Sequence, residues 1–205
     1  AGSLEFAVEF VLVDDGSGDQ TPLLMEKLSM KDQNFTSVFL SRNYGHQVAV
    51  SAGMQAASGA HAIMIIDGDL QDPPELISEF YQKIKAGYDV VYAVRKKRKE
   101  GIIKRTAYWM FYRLLRSISK VEIPLDSGDF CMMTRRVNDT LVAMPEQSRF
   151  IRGMRTWVGF SQIGIEYERQ KRQAGEPKYT FRKLFKLAYD GIFNFSDVPL
   201  KLITK

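Results

Sequence analysis

Three carboxylates fall within six residues where the apolar run Ile63-Met64-Ile65-Ile66 breaks into Asp67-Gly68-Asp69-Leu70-Gln71-Asp72-Pro73-Pro74-Glu75. Such a run reads as a buried strand, and ligands of open parallel sheets bind at the carboxyl ends of strands. Asp67 and Asp69 alternate through a glycine, so both can face one cleft and offer hard oxygen ligands to Mg2+ or Mn2+. Gln71 can add a carbonyl oxygen. A cation held by so few protein groups keeps open positions for a diphosphate. The plain structural alternative is an Asp-rich turn leading into a helix that starts at proline.

A second strand end is acidic as well. Phe10-Val11-Leu12-Val13 runs into Asp14-Asp15-Gly16-Ser17, where a carboxylate can accept hydrogen bonds from ribose hydroxyls or a base N–H, and Gly16 permits a tight turn. The alternative is an N-cap, with Ser17 or Asp19 opening a helix; the two readings are compatible.

Charge divides the chain in two. The net charge of +5 combines residues 1–94, with 5 basic and 13 acidic side chains, and residues 95–205, with 24 and 11. That asymmetry points to a cation site in the first half and a polyanion surface in the second. Seven Lys or Arg stand between Arg95 and Arg105, and basic residues beside an anionic leaflet contribute about 1 kcal/mol each. Arg95, at a strand end, is the candidate for a phosphate contact; residues 96–99 suit general surface attraction. Arg172 and Lys178 flank Gly175 in a loop able to close over phosphates. A solvated basic face is the alternative for all of these.

The elements that must position these groups follow from hydrophobic periodicity. Strands are predicted near 8–13, 37–41, 62–66 and 89–94, alternating with helices at 22–30, 46–57 and 74–85 stopped by Gly59 and Gly87. This β-α-β-α-β-α-β order predicts an α/β fold with a mostly parallel sheet flanked by helices. After it come a helical stretch at 102–119, a strand at 130–134, a helix at 136–143, the segment 150–159 and a strand at 164–169. A final amphipathic helix at 180–195 carries an apolar stripe with Arg182, Lys183 and Lys186 off it, suited to a membrane surface or to capping the core. Residues 1–7 read as an incomplete or foreign start, 8–179 as the catalytic unit and 180–205 as a juxtamembrane segment. No apolar run reaches the roughly 20 residues that cross a bilayer. Cys131, the single cysteine, reads as an inert apolar residue. His46 and His61 read as capping or core residues, and Trp109, Phe111, Tyr112 and Trp157 as packing or interfacial aromatics.

In this order, Asp14-Asp15-Gly16-Ser17, Ser41-Arg42-Asn43-Tyr44-Gly45 and Asp67-Gly68-Asp69-Leu70-Gln71-Asp72-Pro73-Pro74-Glu75 resemble the successive signatures of family 2 glycosyltransferases with a GT-A fold. The subgroup resembled is the polyprenyl-phosphate glycosyltransferases, similar to dolichol-phosphate mannose synthases and bacterial undecaprenyl-phosphate sugar transferases. Asp126-Ser127-Gly128-Asp129-Phe130, Arg149-Phe150-Ile151-Arg152-Gly153, Trp157-Val158-Gly159-Phe160, Arg172-Gln173-Ala174-Gly175-Glu176-Pro177-Lys178-Tyr179 and Phe195-Ser196-Asp197-Val198-Pro199-Leu200 agree with it. Two departures stand out: the family's first strand with its Pro-x-Tyr-Asn-Glu-like turn has no match before Val8, and the subgroup's two transmembrane helices have none.

The resemblance implies inverting transfer of a sugar from a nucleotide-diphosphate donor to a polyprenyl phosphate at the cytosolic membrane face. Asp14, Asp15, Arg42, Arg95, Arg172 and Lys178 would contact the substrates' nucleotide and phosphate groups, Asp67, Asp69 and Gln71 would hold Mg2+ or Mn2+, and Asp129 would lie beside the acceptor as base or positioning group. A homo-oligomer is compatible with this reading and nucleic acid is not required. Three rivals remain: a transferase acting on a polysaccharide or protein hydroxyl, a nucleotidyltransferase, and a basic nucleic-acid-binding module without a recognised motif.

Overall fold

The computed structural model describes residues 6–96, 127–147 and 149–168. The elements run β1 (Phe10–Asp14), α1 (Thr21–Lys31), β2 (Phe35–Phe39), α2 (His46–Ala56) and β3 (Ala62–Ile65), then a single 3-10 turn at Pro74–Leu76. They continue with α3 (Ile77–Lys85), β4 (Val90–Arg95), β5 (Ser127–Thr134), α4 (Arg135–Ala143), α5 (Ile151–Trp157) and β6 (Gln162–Tyr167). Arg172, Lys178, the expected helices at 102–119 and 180–195, most of the basic cluster, and Trp109, Phe111 and Tyr112 lie outside the described residues.

The mixed α/β architecture of the GT-A type is present, with helices on both faces of a sheet. β1 and β2 pair in parallel. The larger sheet has the order β3-β5-β4-β6, in which β4 and β6 are parallel. β5 is inserted antiparallel to both β3 and β4. That reversal has a functional consequence, because the start of β5 comes to lie beside the carboxyl ends of β3 and β4. β5 is also three residues longer than its apolar stretch predicts. Ser127-Gly128-Asp129 has poor strand propensity, yet Ser127 pairs with Val94 after a register shift, so tertiary pairing overrides local preference.

Alternation along the strands sorts side chains into two cores. Ile63, Ile65, Val90, Cys131 and Met133 face Met54 of α2, Val137 and Leu141 of α4, and Ile151 and Met154 of α5. Val91, Ala93, Phe130, Met132, Ile165 and Tyr167 face Phe80 of α3. Burial on both faces explains the near-continuous apolar runs read from the sequence. The helices are stopped by different devices. Gly87 follows α3 at φ +102° as expected, whereas α2 ends before Gly59, its cap Ala57 already extended.

Candidate active site

Strand parity decides which face each acidic residue joins. Asp67 continues the Ile63 and Ile65 series, and Asp129 the Cys131 and Met133 series, so both point toward the layer formed by α2, α4 and α5. The β3–β5 register pairs Ile65 with Cys131. Continued two residues further, it puts Asp67 across from Asp129. His46, the first residue of α2, spans the two: its Nε2 is 3.0 Å from Asp129 Oδ2 and 3.9 Å from Asp67 Oδ1. The sequence reading of His46 as a capping or core residue is therefore corrected. Gly45 occupies the cap, and the imidazole is half-exposed in the cleft between two carboxylates.

The Asp129 environment is strongly cationic. Its Oδ2 also accepts a hydrogen bond from Gln47 Nε2 at 3.0 Å, and Arg152 Nε lies 3.7 Å from its Oδ1. Burial alone would push the carboxyl's pKa up, but the His46 hydrogen bond and the nearby Arg152 and Arg155 charges bring it down to about 2. In return the Asp129 hydrogen bond raises the His46 pKa above its ordinary value, against the effect of desolvation. Arg155 is completely buried, with its guanidinium 5.2 Å from the centre of the Tyr92 ring. None of its side-chain nitrogens has a hydrogen-bond partner among the described residues. A buried guanidinium of that kind needs a nearby anion, and Asp129 supplies the charge. Cys131 is buried and its thiol is pushed up by desolvation, in keeping with an inert role.

Asp67 has the opposite surroundings. Desolvation raises its pKa, and the carboxylates of Asp72, Asp129 and Asp69 raise it further, with only His46 acting the other way. The loop after it is built from its own polar groups. Asp69 Oδ1 accepts from the Gln71 N–H at 3.1 Å, and Leu70 takes the left-handed conformation at φ +57°. A leucine is held there only when its surroundings over-determine the turn. Asp72, to which the sequence alone assigns no role, is buried and accepts a hydrogen bond from the Tyr167 hydroxyl. That bond ties the acidic loop to β6. Burial, followed by the bond to Asp72, pushes the Tyr167 hydroxyl up to about 12. Arg95, at the end of β4, lies against Gly128, where an added Cβ would come within 3.2 Å of its Nη2.

The strand end at β1 is used to build the loop that carries His46. Asp14 is buried and accepts from the Ser17 N–H at 3.1 Å. The Asp15 carboxylate accepts from the backbone N–H groups of Tyr44 and Gly45 at 2.7 and 2.9 Å, the two residues preceding His46. Asp19 accepts from the Thr21 N–H at the start of α1. Arg42 is exposed and stacks 4.0 Å over the Tyr44 ring. Asp15 thus reaches the Asp67–Asp129 cleft through one short loop, and Gly16 makes the contact possible. At φ +70° Gly16 packs so closely that a Cβ there would sit 2.5 Å from the Arg42 carbonyl carbon. Gly16→Ala is expected to cost roughly 2–3 kcal/mol from the positive φ and the backbone clash together. For a chain of this size that is a fall of about 5–10 °C in Tm by calorimetry; an unchanged Tm would show that the loop gives way freely.

His46, Gln47 and Asp72 were not picked out from the sequence as functional. Gln47 carried no signal there, because its role depends on which strand α2 covers.

The family model described as glycosyl transferase family 2 matches residues 4–142. The chain is 49% identical over 195 residues to the uncharacterized glycosyltransferase YkcC of Bacillus subtilis (strain 168), covering 95% of this chain and 60% of that protein. It is 40% identical over 201 residues to the bactoprenol glucosyl transferase of Shigella phage SfV, covering 97% and 65%. The same identity and coverage relate it to a prophage bactoprenol glucosyl transferase homolog of Escherichia coli (strain K12). The chain therefore spans about three-fifths to two-thirds of the length of these relatives.

Proposed function

Because the chain belongs to glycosyl transferase family 2, we propose that it serves in transferring a sugar from a nucleotide-diphosphate sugar to a bactoprenol-type polyprenyl phosphate at the cytosolic face of a membrane. The observation that carries this reading is the convergence of Asp67 and Asp129 on His46 at the carboxyl end of the sheet. Two carboxylates in one cleft have different surroundings, one crowded by acids and one compensated by cations, and so suit different halves of the reaction.

In the transfer, an oxygen of the acceptor phosphate forms a bond to the anomeric carbon as the bond from that carbon to the nucleoside diphosphate breaks, with inversion. A phosphate monoester, with a second pKa of about 6, arrives largely ionised at neutral pH. No proton need be taken from it. A carboxyl held near 2 is a poor proton acceptor at that pH. Asp129 accordingly acts as a fixed charge that orders His46 and Arg152, and the Arg152 and Arg155 cations keep the wall facing the acceptor from being net negative. Arg95 and Arg42 supply phosphate contacts, and Arg172 and Lys178, which lie outside the described residues, would add positive charge for the diphosphate. Asp14 and Asp15 shape the nucleotide side of the cleft.

The residues around Asp67 fit a divalent cation, since carboxylate crowding raises its pKa and a cation would relieve it. Asp67, Asp69 and the Gln71 carbonyl would hold Mg2+ or Mn2+, which would neutralise charge on the leaving diphosphate. Among the described residues no group of three or more His, Cys, Asp or Glu is arranged to hold a metal. A cation here would complete its shell with substrate oxygens and water, as Mg2+ sites commonly do. Among the described residues no helix is long and apolar enough to cross a membrane.

A thermal-shift panel of nucleotide-diphosphate sugars, with and without Mn2+, tests the donor side. A matching donor at a hundredfold excess over Kd should stabilise by about 2.7 kcal/mol, or about 5–10 °C, and only with the metal present. Incubation of the full-length protein with that donor and polyprenyl phosphate should move label into the solvent-extractable lipid. Label appearing only in a water-soluble saccharide or protein would refute the acceptor assignment.

A further inference from the structure

Resting on the transferase reading above, we infer that Gln47 is a positioning residue for Asp129, holding its carboxylate while fixing α5 against α2. Gln47 is the second residue of α2 and uses both ends of its amide. Its Nε2 donates to Asp129 Oδ2 at 3.0 Å, and its Oε1 accepts from the backbone N–H of Ile151 at 2.8 Å. Ile151 opens α5, the helix that carries Arg152 and Arg155.

Three features make this more than a local contact. An amide's oxygen and nitrogen ends are distinct, and here each meets the only kind of partner it can satisfy: a carboxylate faces the donor and an N–H faces the acceptor. The partners are 22 residues apart in sequence and belong to separate elements, so one side chain sets the distance between the strand holding Asp129 and the helix holding its arginines. The contact also leaves Asp129 Oδ1 buried with no hydrogen-bond partner among the described residues, 3.7 Å from Arg152 Nε. With Oδ2 shared between His46 and Gln47, the carboxylate cannot rotate to close that gap without giving up two hydrogen bonds. Gln47 therefore holds Asp129 in a rotamer that keeps Arg152 short of a direct hydrogen bond.

Gln47→Glu separates positioning from simple bracing. Glutamate still accepts from Ile151 N–H, so the brace survives, but it sets a carboxylate against Asp129 in place of a donor. Positioning predicts that Gln47→Glu and Gln47→Leu in the full-length protein both lose about ten- to a hundredfold in kcat. The donor KM should stay within twofold, because the Gln47 amide is engaged by Asp129 and Ile151, on the acceptor side of the cleft in this reading. Bracing alone predicts wild-type kcat for Gln47→Glu and a loss for Gln47→Leu only, and that result overturns the inference.

A melting-temperature cycle gives a readout independent of sugar transfer. Gln47→Glu should lower Tm by about 3 °C or more in the wild-type background, and by clearly less when Asp129→Asn is also present, since the facing carboxylates are then gone. Equal losses in the two backgrounds would overturn the contact. If the cycle shows coupling and the wild-type protein transfers no sugar to polyprenyl phosphate, the proposed function fails while the positioning contact stands. If transfer is normal and Gln47→Glu keeps full kcat, the reverse holds.

Discussion

Asp129→Asn should reduce sugar transfer by about a hundred- to a thousandfold, the loss of a preorganised charge, and destabilise the protein as well. The substitution keeps the shape of the side chain and removes its charge. His46 loses the partner that raises its pKa, and Arg155, fully buried, loses the nearby anion. Removing one member of a buried charge pair leaves the other uncompensated, which is where most of the cost arises.

The pH dependence follows from the signs of the two shifts. Asp129 titrates at about 2 against an ordinary 3.8. Its stabilisation, on the order of 2 kcal/mol, is therefore complete above pH 3.8 and disappears as pH falls toward 2. His46 titrates above its ordinary 6.5, so its contribution is complete below that value and is lost as pH rises through the raised one. In Asp129→Asn both arms of the Tm–pH curve should flatten, and the His46 imidazole, followed by NMR, should titrate closer to 6.5. An unchanged His46 titration would mean that the pair does not exist in solution.

Asp67→Asn should abolish transfer on a similar scale, about a hundred- to a thousandfold, but with the opposite effect on stability. Desolvation and three neighbouring carboxylates raise the Asp67 pKa, so its ionised form weighs against the folded state at neutral pH. Neutralising it should raise Tm and at the same time eliminate the Mn2+-dependent shift seen with donor. Calorimetry and the donor panel read the two effects separately. A protein that melts lower after Asp67→Asn, or that keeps its metal-dependent donor shift, would rule out the cation site. The opposite signs expected at Asp67 and Asp129 express a stability–function trade-off confined to one member of the pair.

A good deal of this was legible beforehand. The strands carrying Asp14 and Asp67 were visible because each is a short continuous apolar run that breaks abruptly into acidic residues. The helices between them were visible from their 3.6-residue spacing and breakers. Gly16 was marked as a turn, and the structure shows how tight that turn is, with the Arg42 backbone against it. Asp129 was reachable only through its resemblance to a family motif, since Ser127-Gly128-Asp129 has no strand signal of its own.

His46 illustrates what single-sequence reasoning cannot supply. A lone histidine after a glycine at a helix start has several ordinary explanations, and nothing within ten residues of it names Asp67 or Asp129 as partners. Gln47 and Arg155 are the same case: each depends on which strand a helix covers and in what register. The acidic strand ends, their chemistry and the family were properties of the sequence itself, because hydrophobic patterning and short-range spacing are local quantities. The pairing of Asp67 with Asp129, the cationic surroundings that hold one carboxyl down and the acidic ones that push the other up were decided by the antiparallel entry of β5 and the packing of α2 and α5. Electrostatic environment depends on distances through space between residues far apart in the chain, and only the folded arrangement sets those distances.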